Sequence, residues 1–225
     1  MEQKRSTRVR LAITALVVLF GPAIFYYVLT RGQNSYKSLQ FYGPKSFNGA
    51  STDTVFHTVG SFTLTDQVGK TITEATFTNK IYVANFFFTS CTTICPKMSE
   101  GIQDVAYAFK DDTAIKFISH TVKPEEDSTA ALFNYSKIYR AKPGKWFFVT
   151  GDKNMIYKLA REDYFLPVLK NDSGVFEVIH SEKLVLIDTK KRIRGIYDGT
   201  DVWDIAKLKD EIKVLEYECY GKVYR

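Results

Sequence analysis

The chain has 225 residues, 45% of them hydrophobic and 15% aromatic, with a formal net charge of +6. That composition excludes a disordered or fibrous protein and supplies enough apolar side chain for one ordinary domain with a real core. The positive charge is local: residues 1–31 hold Lys4, Arg5, Arg8, Arg10 and Arg31 against Glu2, and the remaining 26 basic and 24 acidic residues nearly cancel, so the pattern argues against nucleic acid as a partner.

The first element in chain order is an uncharged stretch of nineteen residues, Leu11 to Leu29. At about 1.5 Å per residue a helix of that length just crosses a hydrocarbon layer of roughly 30 Å. Basic residues precede it, and the positive-inside rule puts them in the cytoplasm. A cleaved signal peptide would have a shorter apolar region ending in small residues, whereas Phe25-Tyr26-Tyr27-Val28-Leu29 runs straight into Arg31. The expected organisation is a cytoplasmic basic tail (1–10), a transmembrane anchor (11–29), a linker (30–55) and one soluble domain (56–225). That domain faces a periplasm-like, oxidising space on the outer side of the cytoplasmic (inner) membrane.

The soluble part alternates strands and helices. Phe56 to Leu64 reads as a strand, Asp66 to Lys70 as a turn, and Thr71 to Thr73 as the returning strand of a hairpin. Ile81 to Phe88 is nearly all apolar, as a central strand covered on both faces should be. Pro96 to Lys110 carries Met98, Ile102, Val105, Ala106 and Phe109 at helical spacing. A strand over Ala114 to Ser119 follows, then a helix over Thr129 to Arg140, a strand over Lys145 to Val149, and a helix over Lys153 to Ala160 capped by Asp152. Strands over Glu177 to Ile179, Lys183 to Asp188 and Ile193 to Tyr197 lead to a closing amphipathic helix over Asp201 to Tyr217. The pattern predicts an α/β fold, a central sheet with helices on both faces.

The chemistry concentrates where the central strand ends, in Thr89-Ser90-Cys91-Thr92-Thr93-Ile94-Cys95-Pro96. Proline suits the first turn of a helix, so the two thiols mark a strand-to-helix junction, with Cys95 at or just before that turn. A helix N-terminus favours anions and makes thiolates available. Two thiols on one turn point to redox chemistry or to soft-metal chemistry. Three cysteines in all, the third being Cys219, are too few for a disulfide scaffold, and the spacing is not the paired C-x2-C of a structural zinc site.

The blocks Phe62 to Lys70, Asn85 to Pro96, Lys123 to Ser128, Trp146 to Asp152 and His180-Ser181, in that order behind an N-terminal anchor, resemble the Sco/SenC family of membrane-anchored, thioredoxin-like copper proteins. The resemblance implies a thioredoxin-like sheet flanked by helices with an N-terminal hairpin. It implies a copper site, Cu(I) or Cu(II), made by Cys91, Cys95 and His180, and a role in assembling the binuclear copper centre of a cytochrome oxidase subunit. Soft thiolates select Cu(I), and an imidazole also suits Cu(II), which agrees with that donor set. The chain departs from the family's pattern at Thr92-Thr93-Ile94, where the family carries an acidic residue, at Ile179 before His180, and at Lys123 in place of an aspartate.

The competing reading is an enzyme, a thiol-disulfide oxidoreductase that uses Cys91 and Cys95 to keep a copper-accepting protein reduced. A redox or peroxide sensor is the third. His57, His120, Met98 and Cys219 read as structural residues, and Glu125-Glu126-Asp127 as an acidic cluster at a helix start.

Overall fold

The structure is a computed structural model that describes residues 10, 14–26, 38–47, 54–166 and 181–221. The chain divides into two units, Met1–Lys37 and Ser38–Arg225. In the first unit, residues 14–26 form helix α1 with exposed side chains. They are the described part of the expected 11–29 span, and no helix among the described residues is long and apolar enough to cross a membrane.

The second unit is built on a seven-stranded mixed sheet in the order β4-β3-β7-β6-β5-β8-β9. Its strands are β3 (Thr63–Asp66), β4 (Thr71–Thr73), β5 (Ile81–Phe87), β6 (Ile115–Thr121), β7 (Trp146–Thr150), β8 (Lys183–Ile187) and β9 (Ile193–Asp198). A separate two-stranded ribbon pairs β1 (Lys45–Phe47) with β2 (Thr54–Phe56), at the end of the stretch expected to be linker and running into the first residue of the expected domain. β5, β6 and β7 run parallel, and the neighbouring pairs are antiparallel.

The expected strand over Phe56 to Leu64 does not form as one element. Its middle residues spend their backbone groups elsewhere: the Val59 amide donates to the Lys191 carbonyl and the Gly60 amide to the Asp163 carboxylate. The chain pairs again only at β3, which forms the expected hairpin with β4. The strand expected over Glu177 to Ile179 lies outside the described residues.

β5 is buried along its whole length because both of its faces are covered. Ile81, Val83 and Phe87 point into one layer, with α2 (Ile94–Ala108), α3 (Thr129–Ile138) and α5 (Val202–Tyr220). Tyr82, Ala84 and Phe86 point into the other, with α4 (Lys153–Lys158) and the π-helical turn Leu159–Asp163. Truncating a fully buried Leu or Ile in such a layer to alanine costs about 2–5 kcal/mol. Phe88, one residue past the strand, packs against both layers and marks the edge where they meet.

The cap anticipated from sequence forms, Asp152 accepting from the Met155 amide, and Asp201, expected inside the last helix, caps it instead by accepting from the Trp203 and Asp204 amides. The middle of α2 is held by close approach. A Cβ on Gly101 would lie 2.6 Å from the Gly199 carbonyl oxygen, and one on Gly199 would lie 2.7 Å from Met98 Cγ. The turn that follows β9 and the middle of α2 therefore touch backbone to backbone.

Candidate metal centre

Parallel β5 and β6 end at the same edge of the sheet, where the Val122 amide donates to the Phe87 carbonyl at 2.8 Å. The carboxyl ends of parallel strands are where open α/β sheets place their sites. Here the loop after β5 carries the cysteines and the loop after β6 lies beside it.

α2 begins at Ile94, two residues earlier than the proline suggests, so Cys95 sits in its first turn. Proline is tolerated there because the first amides of a helix have no partner within it. Thr93 stands at the N-cap but makes no side-chain cap bond. The Cys91 sulfur takes that role, accepting the Cys95 amide at 3.4 Å, and it lies 3.9 Å from the Thr93 hydroxyl oxygen. An anionic sulfur at this position meets both the unpaired amides and the positive end of the helix dipole.

The two thiols differ sharply. Partial burial works against ionising Cys91, but the backbone amides of Cys95, Thr93 and Ile94 and the Cys95 thiol outweigh it and hold Cys91 down at about 7. Burial pushes Cys95 up to about 12, reinforced by its hydrogen bond to Cys91 and by the charge on that neighbour. Cys91 is thus a half-buried, readily ionised sulfur, and Cys95 a buried one that stays protonated until something displaces its proton.

Both line a cavity of about 210 Å³ with Phe86, Phe88, Ser90, the spacer Thr92-Thr93-Ile94 and Ser181. Ser181 directly follows His180, the third expected ligand, which itself lies outside the described residues. Among the described residues no group of three or more His, Cys, Asp or Glu side chains gathers to hold a metal ion. Two sulfurs on one wall of a small cavity, with neutral hydroxyls and aromatic rings around them, fit a soft monovalent or divalent ion that takes few ligands.

The other singled-out residues take no part in this cavity. Met98 is fully buried, and its sulfur accepts from Asn85 Nδ2 at 3.7 Å. His57 bonds through Nε2 to the Asp163 carbonyl at 2.9 Å and tilts over Phe165. Cys219 accepts from the Thr189 hydroxyl at 3.6 Å on the last turn of α5. His120 does not approach the site from a strand end; it lies inside β6, fully buried, stacked on Phe86 in the layer opposite α2. Its Nδ1 faces the Asn85 carbonyl at 3.2 Å, its Nε2 has no partner among the described residues, and burial lowers it to about 4.

Sequence reasoning missed Asp127. It is not part of an exposed acidic cluster: it is 1% exposed, and its carboxylate accepts from the Thr89 amide at 3.2 Å and from the Thr89 and Thr121 hydroxyls. Glu126 beside it accepts from Ser90 at 3.4 Å and from Lys123 at 3.1 Å. The block Lys123 to Ser128 was part of the resemblance to the family, but nothing in its spacing tells which of its three acids turns inward.

The family model for SCO1/SenC matches residues 50–215. A SCO1 protein homolog of Bacillus subtilis (strain 168) is 28% identical over 163 residues, which span 72% of this chain and 84% of that protein. Among solved structures, BsSco, described with a disulfide switch as a member of the Sco family of cytochrome c oxidase assembly proteins, superposes with a TM-score of 0.59 at 25% identity, over 70% of this chain and 93% of that one. The copper-bound ScoI of Bradyrhizobium japonicum superposes with a TM-score of 0.55 at 26% identity, over 68% of this chain and 99% of that one.

Proposed function

This chain belongs to the SCO1/SenC family, and from that premise we propose that it binds copper on Cys91, Cys95 and His180 and hands it to a copper-bearing subunit of cytochrome c oxidase. The observation that carries this reading is the shared cavity: both sulfurs and Ser181, the neighbour of His180, line it. Further support comes from relatives solved with copper bound and from the assembly role stated for the BsSco family.

Copper is the cargo, and the chain's own groups prepare the ligands. Cys91 is readily ionised, lowered to about 7 by nearby backbone amides, of which the Cys95 amide donates to its sulfur. Cys95 gives up its proton as the metal replaces it, so binding releases a proton at that atom. The spacer Thr92-Thr93-Ile94 itself brings no charge to the mouth of the site. The expected anchor over Leu11 to Leu29 would hold the domain outside the cytoplasm and near a membrane-bound client.

The test is a copper titration of the reduced full chain in detergent. One equivalent should bind, with a thiolate-to-copper charge-transfer band on loading with Cu(II). Cys91→Ala/Cys95→Ala should abolish both, and His180→Ala should weaken binding and shift the band. Binding that is unchanged in the double cysteine variant ends this reading.

A second reading is favoured by the asymmetry of the two thiols. A low-pKa, accessible sulfur four residues from a buried partner is the arrangement of an attacking and a resolving thiol. Client-disulfide reduction that needs both cysteines and survives His180→Ala would establish thiol exchange; absence of turnover would remove it.

A further inference from the structure

We propose that Asp127 is the positioning residue of the thiol site: it acts through Thr89 to hold the loop that carries Cys91. The inference rests on the copper reading for its purpose, though its geometry stands apart from it. β5 ends at Phe87, and the chain between there and α2 is tied by bonds from two sides. The Cys91 amide turns back to the Phe88 carbonyl at 3.3 Å. Among the described residues, the ties on Thr89 and Ser90 come from the loop after β6. Asp127 takes the Thr89 amide and hydroxyl together, and Glu126 takes the Ser90 hydroxyl.

Asp127 is itself fixed from below. The Thr121 hydroxyl at the end of β6 donates to its second oxygen, and its own amide donates to the Lys123 carbonyl at 2.9 Å. Thr121 stands opposite Phe87 in the parallel register, so the carboxylate bridges the ends of two adjacent strands. Among the described residues Asp127 makes no ion pair with Lys or Arg, although it is buried. A buried carboxylate held only by hydroxyls and an amide is costly compared with an apolar or a paired side chain. What it secures here is the direction in which Thr89 leaves the sheet, and Cys91 follows two residues later.

The consequence is preorganisation. With Thr89 pinned, Cys91 Sγ stays against the first turn of α2, close to Cys95, before any metal arrives. Groups that orient ligands from behind typically contribute about 10–100-fold to metal affinity.

Three full-chain variants in detergent test this: Asp127→Asn, Thr89→Val and the double variant. Two readouts are taken, copper affinity against a competing chelator and the equilibrium of the metal-free protein with glutathione. In the latter, the dithiol and one oxidised glutathione give the Cys91–Cys95 disulfide and two reduced glutathiones, so atoms and electrons balance. Each single variant should lower copper affinity about tenfold and reduce the disulfide equilibrium constant about fivefold, because the two sulfurs lose effective concentration. The double variant should lose no more than either single one, since both remove the same tie. Unchanged equilibria, or losses that simply add, overturn the proposal. If Asp127→Asn does not fold, Thr89→Val alone decides it, because it deletes only the loop hydroxyl. A wild-type chain that binds no copper would sink the copper reading, while the glutathione arm would still judge the positioning role.

Discussion

Two carboxylates in this domain are buried to the same degree and live in opposite company. Asp188, at the turn between β8 and β9, is 1% exposed and meets two guanidiniums: Arg192 at 2.6 Å and Arg194 at 3.3 Å. Arg194 also binds Glu218 at 2.6 Å and the Leu39 carbonyl at 2.8 Å, and lies over the Phe41 ring. That cluster fastens the start of the domain to β9 and the last turns of α5. Asp127 has no such cation among the described residues and binds hydroxyls and an amide beside the thiols. Where a buried charge is neutralised, it serves the scaffold. Where it meets no cation among the described residues, at the carboxyl edge of the sheet, it stands beside the site.

The comparison can be broken at its scaffold end first. Arg194→Met leaves Glu218 without its guanidinium and Asp188 with one partner fewer, and breaking a buried pair in this way costs about 3–5 kcal/mol. Denaturant unfolding should show that loss, while the glutathione equilibrium of Cys91 and Cys95 stays where it was. A shifted thiol equilibrium would mean that the two ends are not independent.

Next in size is the acid response. His120 is lowered to about 4 by burial, against an ordinary value of 6.5. The unfolded chain therefore takes up a proton below pH 6.5 that the folded chain refuses until about pH 4. Stability is fully present above pH 6.5 and falls by about 3 kcal/mol as pH drops through that window. His120→Phe, which keeps a ring against Phe86, should flatten that part of the pH profile. An identical slope in wild type and variant would show that His120 is not the group responsible.

The smallest effect separates the thiols themselves. Carboxymethylation of the reduced, metal-free chain should label Cys91 with a midpoint near pH 7 and leave Cys95 unlabelled over the neutral range. A Cys91 midpoint near that of a free thiol, about 8.5, would mean that the helix amides do not act on its sulfur.

Much of the scaffold could be read from local pattern. β5 announced itself as an unbroken apolar run because both faces are covered, and α2 through Met98, Ile102 and Val105 at helical spacing. The cysteine pair at the junction was legible because proline restricts where a helix can start. The features that escaped depend on partners far away in sequence. Residues 56–64 alternate like a strand, yet Val59 and Gly60 bond to residues more than a hundred positions on. Asp127 and Thr89 are 38 residues apart, and only the parallel register of β5 and β6 brings them together. His120 sits in a strand whose polar residues Ser119, His120 and Thr121 mimic an exposed end, although the layer over it is apolar.

The close approach of Gly101 and Gly199 has a consequence for how the site is held. The Gly199 carbonyl lies where a side chain at position 101 would have to go, so α2 packs directly on the turn after β9, and Cys95 rides on that packed helix. Cys91 is held differently, by the loop in front of that helix, whose Thr89 and Ser90 are tied to Asp127 and Glu126. The two sulfurs therefore meet at a seam between two separately supported parts of the fold, and a change in either part alters the distance between them.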